Sequence, residues 1–247
     1  MALKSKPSGN WLAIRSSGIY ESQFNKFVFP GQYATFLCVK NETKYVVEKI
    51  VECWASLFSP HAIKYALKAG ISPQRYEMGV IVQRMINAKA SGALATIDPI
   101  TGDPSKILIE AVPGLGLSLM SGMISPDRFI VDKSNLELIK RQHGQKGLAF
   151  ILNNERGLEL IRLQTNRDLC IDDKEIRVIT DLAIRIEKLF KKPQVIEWCI
   201  EKDTGMMFIL QSRDETMWSN LERRTRYITR VVSSYILSVC PKFIMWL

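Results

Sequence analysis

No two cysteines in this sequence are spaced C-x-x-C. The five that it has, Cys38, Cys53, Cys170, Cys199 and Cys240, lie mostly in apolar surroundings, which argues against a zinc site or a disulfide framework and for buried thiols in a reducing compartment. The N-terminal stretch "MALKSKPSGNW" carries basic residues with no apolar run behind them, so it does not read as a secretory signal. A long hydrophobic run is also missing. The uncharged stretch that starts at Val231 is broken by Lys242, well short of the ~20 residues a spanning helix needs. Together these absences predict a cytoplasmic protein without stable membrane insertion.

Acidic residues are the scarcer charge. The 25 Asp and Glu against 34 Lys and Arg leave a net charge of +9, of which +4 lies after Ser219, on Arg223, Arg224, Arg226, Arg230 and Lys242 against Glu222. The body therefore has a modest excess, compatible with nucleotide phosphates. No stretch interleaves aromatic and basic residues as a stacking platform for bases would, so a nucleic-acid partner is not expected. Net charge alone supports a third alternative, a polyanion-binding module. With 247 residues, 47% of them hydrophobic, the chain can bury a core as one large domain or two small lobes.

The periodicity predicts an α+β or mixed fold. "WLAIRSS" (Trp11 to Ser17) and "YATFLCV" (Tyr33 to Val39) read as strands, joined by a loop with Gly18, Pro30 and Gly31. Residues Glu42 to Phe58 carry apolar side chains at 3–4 spacing and read as a helix. A second helix follows, with Ser59 as N-cap, Pro60 at its first position and Gly70 as its stop. Glu77 to Ile86, Ser91 to Asp103 and Lys106 to Val112 read as strands and connections. The glycines of "PGLGLSLMSG" and an edge-like "DRFIVDK" come next. Asp172 to Phe190 is the second strong amphipathic helix, and Val195 to Arg213 closes as an antiparallel hairpin around "EKDTG".

That hairpin, "VIEWCIEKDTGMMFILQSR", places Glu197, Gln211 and Arg213 among apolar residues. In an even register Glu197 faces Gln211, with Arg213 one diagonal away. The cluster fits either of two roles. It can be a part-buried Glu197–Arg213 ion pair completed by Gln211, or Glu197 and Gln211 can offer oxygens to Mg²⁺ while Arg213 pairs with phosphate. Elsewhere Arg15 ends a strand before two serines and a glycine, where a guanidinium can fork onto phosphate. Gly31 and Thr35 of "PGQYAT" suit close backbone approach and a hydrogen bond to phosphate or ribose. Gln83 and Met85 lie on a strand able to offer main-chain groups and a flat apolar surface to a base.

In this order, "AIRSS", "FPGQYATFL", "CWASLF", "VQRMINAKASGALATIDPITGD", "GLG", "SGMISPDRFIV", "IEW" and "ILQSR" closely resemble the nucleotide-binding domain of the phosphoenolpyruvate synthase and pyruvate phosphate dikinase family. Relatives include rifampicin phosphotransferase and phenylphosphate synthase. The resemblance covers about Trp11 to Thr216, assigned as a domain over 11–219, with 220–247 as a basic and hydrophobic extension. It implies an ATP-grasp fold with two lobes, and delivery of phosphate from Mg-ATP to a histidine on a separate swivelling domain. By the same resemblance Arg15, Gly31, Thr35, Gln83, Glu197, Gln211 and Arg213 match positions that contact ATP or its Mg²⁺. Glu197 and Gln211 would hold metal, and Arg15 and Arg213 would neutralise the phosphoryl charge that moves.

The sequence also departs from that family. Val195 stands where an acid is usual, as does Leu117 after "GLG"; Val28 replaces a serine and Asp214 a proline. The upstream lysine segment is expected to be missing. The two histidines, His61 and His143, lie in a helix start and a loop rather than in a phosphohistidine motif. The swivelling domain and the acceptor-binding domain are accordingly expected on other chains. The lost acids favour an alternative, a decayed module that keeps the fold without turnover.

Overall fold

The computed structural model of the chain describes residues 11–18, 33–68, 77–164, 168–216 and 218. Among them the chain runs β1 (Trp11–Gly18), β2 (Thr35–Lys40), α1 (Thr43–Ala55) with a 3-10 turn (Ser56–Phe58), α2 (Pro60–Lys68) and β3 (Met78–Arg84). It continues as β4 (Ala88–Ala95), β5 (Lys106–Pro113), α3 (Leu117–Met120), β6 (Asp127–Asp132), β7 (Leu138–Gln142), β8 (Leu148–Asn153) and β9 (Gly157–Arg162). The last elements are α4 (Asp173–Phe190), β10 (Gln194–Glu201) and β11 (Met207–Asp214). The strands form three antiparallel sheets, ordered β2-β1-β3, β11-β10-β4-β5-β6-β7 and β8-β9. A mixed chain with antiparallel sheets is what the periodicity predicts.

Alternation along each strand divides the six-stranded sheet into two faces. Ile196, Trp198 and Ile200 of β10 point to one side with Ile107 and Ile109 of β5 and Phe129 of β6, and α4 covers them with Ile176, Ile179 and Ala183. The helix starts where its sequence says it should. Asp172 accepts the Glu175 N–H while the Glu175 carboxylate accepts the Asp172 N–H, a capping box worth about 1 kcal/mol. Space for the Trp198 indole comes from β4. A Cβ on Gly92 would lie 2.7 Å from the ring and 1.8 Å from the Glu110 carbonyl.

The opposite face of the large sheet meets the three-stranded sheet. Trp11 and Ala13 of β1, Met85, Leu115, Leu152 and Cys199 form a second core, with Phe208 and Leu210 packed against it. A third core lies on the other side of the small sheet, where Ile14 and Val39 pack on Cys53 of α1. The start of α2 matches expectation, since the Ser59 Oγ accepts the Ala62 N–H at 3.2 Å; Gly70 lies outside the described residues.

Several boundaries differ from the expected ones. The strand read over Ser91 to Asp103 begins at Ala88 and ends at Ala95, because the Asp98 carboxylate holds a turn through the Ile100 N–H and the Thr101 hydroxyl. "DRFIVDK" is an interior strand, flanked by β5 and β7. Its charged ends do not place it at an edge. Asp127 is fully buried, and its carboxylate accepts from Lys146 Nζ at 2.5 and 2.6 Å, from the Gly144 N–H at 2.8 Å and from the Cys170 N–H at 2.8 Å. Strands β7, β8 and β9 have no counterpart in the sequence reading; each is five or six residues long.

The thiols behave as buried cysteines do. Cys53 and Cys199 are buried and all four described cysteines are free, with burial pushing the Cys199 thiol up to about 12. Cys240 lies outside the described residues. Among those residues no helix is long and apolar enough to cross a membrane.

Two outcomes are expected. Burial alone would raise the Asp127 pKa, but the Gly144 N–H, Lys146 and the Cys170 N–H outweigh it and hold the group below its ordinary 3.8. Its contribution to stability is therefore complete above that value and lost as pH falls through the lower folded value. In urea titrations Asp127→Asn costs about 3–5 kcal/mol at neutral pH by stranding Lys146, and flattens the acid limb of the stability profile. Gly92→Ala forces Trp198 or the β4–β5 spacing to shift and costs about 1–3 kcal/mol or more, read as a lowered Tm.

Candidate functional site

β10 and β11 pair in the register anticipated from the sequence: Glu197 opposite Gln211 and Val195 opposite Arg213. Immediately beyond, the ladder slips, so that Trp198 faces Ile209 and Leu210 is the extra residue of a bulge. A bulge frees main-chain groups from the ladder. Here the Leu210 carbonyl turns to accept Arg15 Nη1 at 3.3 Å.

Arg15 arrives from the other sheet. On β1 it shares a face with Trp11 and Ala13, which are buried in the core between the sheets, so Arg15 emerges at the rim of that core. Its Nη1 also donates to Gln83 Oε1 at 3.2 Å. Its Nη2 donates to Gln211 Oε1 and lies 3.6 Å from Glu197 Oε2. Four of the candidate residues, Arg15, Gln83, Glu197 and Gln211, thus meet at one guanidinium, carried by four strands of two sheets. The Arg15 and Glu197 side chains keep 20% and 29% of their exposure. The contact is desolvated enough to exceed a surface ion pair, yet open enough for a ligand to reach.

The remaining candidates are spread around this point. Thr35 pairs with Arg15 across β1–β2 and is exposed. Arg213 is half-buried opposite Val195, and its side chain has no ion pair or hydrogen bond among the described residues. The ion partner of Glu197 is therefore Arg15, and a Glu197–Arg213 pair is not formed. Met85 lies one residue past β3, buried, with its N–H donated to the Trp11 carbonyl at 3.0 Å, which leaves it no free N–H for a ligand. Gly31 lies outside the described residues. Among those residues no three His, Cys, Asp or Glu side chains cluster as metal ligands, so any cation here would draw on Glu197, the Gln211 amide oxygen and its own other ligands.

Sequence reasoning missed one part of this face. Residues paired across antiparallel strands share a face, and the pairs Glu197–Ala93, Ala93–Glu110 and Glu110–Arg128 continue the row from Gln211 across the sheet. Arg128 Nε and Glu110 Oε1 are 2.8 Å apart, one strand beyond Ala93. Glu110 sits in a strand with an apolar signature, and the register that brings it into line with Glu197 is set by two intervening ladders.

Known proteins give the arrangement a context. The family model "Pyruvate phosphate dikinase, AMP/ATP-binding domain" matches residues 2–230. Phosphoenolpyruvate synthase from Aeropyrum pernix is 34% identical over 84% of this chain and 29% of its own length. A probable phosphoenolpyruvate synthase from Archaeoglobus fulgidus is 36% identical over 83% of this chain and 27% of its own length. Rifampicin phosphotransferase from a Streptomyces species is 34% identical over 90% of this chain and 25% of its own length. The chain thus spans a quarter to under a third of these relatives. With the match running through nearly all of its length, the chain belongs to the family of pyruvate phosphate dikinase AMP/ATP-binding domains.

Proposed function

We propose that this chain is the ATP-binding part of a dikinase-type phosphotransferase of the phosphoenolpyruvate synthase kind, an ATP-grasp module whose two lobes are built on the three- and six-stranded sheets. The observation that carries this is the meeting of Arg15 and Gln83 from one sheet with Glu197 and Gln211 from the other. The donor set also fits a magnesium ion. One carboxylate oxygen and one amide oxygen already converge on a single positive group, and Mg²⁺ is commonly held by one or two carboxylates, ligand phosphates and water. When bound, the cation supplies shielding of phosphate charge.

The protein's own share is positioning and charge neutralisation. Arg15 and Arg213, whose side chain has no ion pair among the described residues, would receive phosphate oxygens, while Gln83, Thr35 and Gly31 would fix the nucleotide. The phosphoryl group would pass to a histidine on a swivelling domain, and from there to an acceptor held by a further domain. His61 sits in the first turn of α2 and His143 in the loop after β7, and neither is given that role.

A second reading is a module that keeps the fold but has lost turnover. Val195 favours it, because the position facing Arg213 carries no acid.

Glu197→Ala is expected to weaken Mg-ATP binding about tenfold or more by isothermal titration; an unchanged affinity would return the cluster to a structural ion pair. Val195→Asp is expected to tighten Mg²⁺ binding severalfold by adding a carboxylate beside Glu197, and a weaker affinity for the metal would contradict that. Transfer of labelled phosphate to an added swivelling domain from a relative separates an active module from a decayed one.

A further inference from the structure

The two oxygens assigned above to a cation face one guanidinium nitrogen. Nη2 of Arg15 donates to Gln211 Oε1 and faces Glu197 Oε2, whereas Nη1 is anchored separately by Gln83 Oε1 and the Leu210 carbonyl. We propose that the Arg15 guanidinium and a divalent cation compete for the Glu197 and Gln211 oxygens, so that Arg15 makes metal binding conditional on an accompanying polyphosphate. The proposal rests on the metal reading given above.

The physical case is one of exclusion and release. A guanidinium and a divalent ion cannot both sit against the same carboxylate and amide oxygens, because like charges in a part-desolvated site repel. A metal arriving alone must take Nη2's acceptor, the Gln211 amide oxygen, and the facing Glu197 carboxylate, leaving its N–H groups unpaired, which carries a desolvation cost. A metal arriving with a polyphosphate removes that cost. Nη1 stays anchored on Gln83 and Leu210, and Nη2 turns from the carboxylate to a phosphate oxygen, which guanidinium binds strongly. Arg15 thereby couples the two ligands: each binds better in the presence of the other, by the same factor. It also ties them to the sheets, since the same nitrogen joins β1 to β10 and β11.

Mn²⁺ is a suitable probe, counted as free ion by electron paramagnetic resonance, with and without ATP. Arg15→Met should bind Mn²⁺ alone about tenfold more tightly than the unaltered chain and lose most of the gain that ATP confers. Arg15→Gln removes the charge but keeps a polar side chain and should act in the same direction, which covers the case of a misfolded methionine variant. Glu197→Gln should abolish the tightening in either background. If Mn²⁺ binds in a Glu197-dependent way and neither Arg15 variant tightens it, the competition is overturned and the metal reading survives. If no chain shows Glu197-dependent Mn²⁺ binding, both are overturned.

Discussion

Strand β10 is hydrogen-bonded on both sides, to β4 and to β11, and its two faces answer to different environments. Trp198 and Ile196 are fully buried under α4, while Glu197 between them must point the other way. A one-residue slip would put the carboxylate into the hydrophobic core and the indole into the polar cleft, a cost no local adjustment offsets. That constraint holds the sheet in register, and with it every side chain the site uses. The bulge at Leu210 follows immediately after Glu197, so the strand departs from regular pairing only once the carboxylate has been placed.

The small sheet is positioned by the same economy. Trp11 and Ala13 bury one face of β1 against the second core, which leaves the next residue on that face, Arg15, at the boundary with solvent. The tie between sheets that results is polar at its rim and apolar beneath. The charged side chains at that rim stay within reach of solvent while the apolar contacts beneath them do not.

Local pattern made much of this legible. The α4 stripe, the α1 periodicity and the β10–β11 register with Glu197 facing Gln211 are all short-range signals, and each is present in the structure. What pattern could not convey is partnership over distance. Arg15 looked like a strand-end cation, and only the fold reveals that its acceptors lie on β3 and β11 and its counter-ion on β10. Arg213 looked like the natural partner of Glu197, yet it stands opposite Val195 with no described counter-ion. The burial of Asp127 is intelligible only once Lys146 and two backbone N–H groups are seen around it. The short strands β7 to β9 escaped because five or six residues with exposed outer positions give too few alternations to register.

Strand β4, finally, is built almost entirely from small residues: Ala88, Ala90, Ser91, Gly92, Ala93 and Ala95. On the core side this admits the Trp198 ring. On the open side it lowers the floor between Glu197 and the Glu110–Arg128 pair to the height of a methyl group. The sheet therefore carries a shallow trough whose depth is fixed by the chain that lies beneath it, so the shape of whatever rests there is selected by what β4 omits as much as by what its neighbours present.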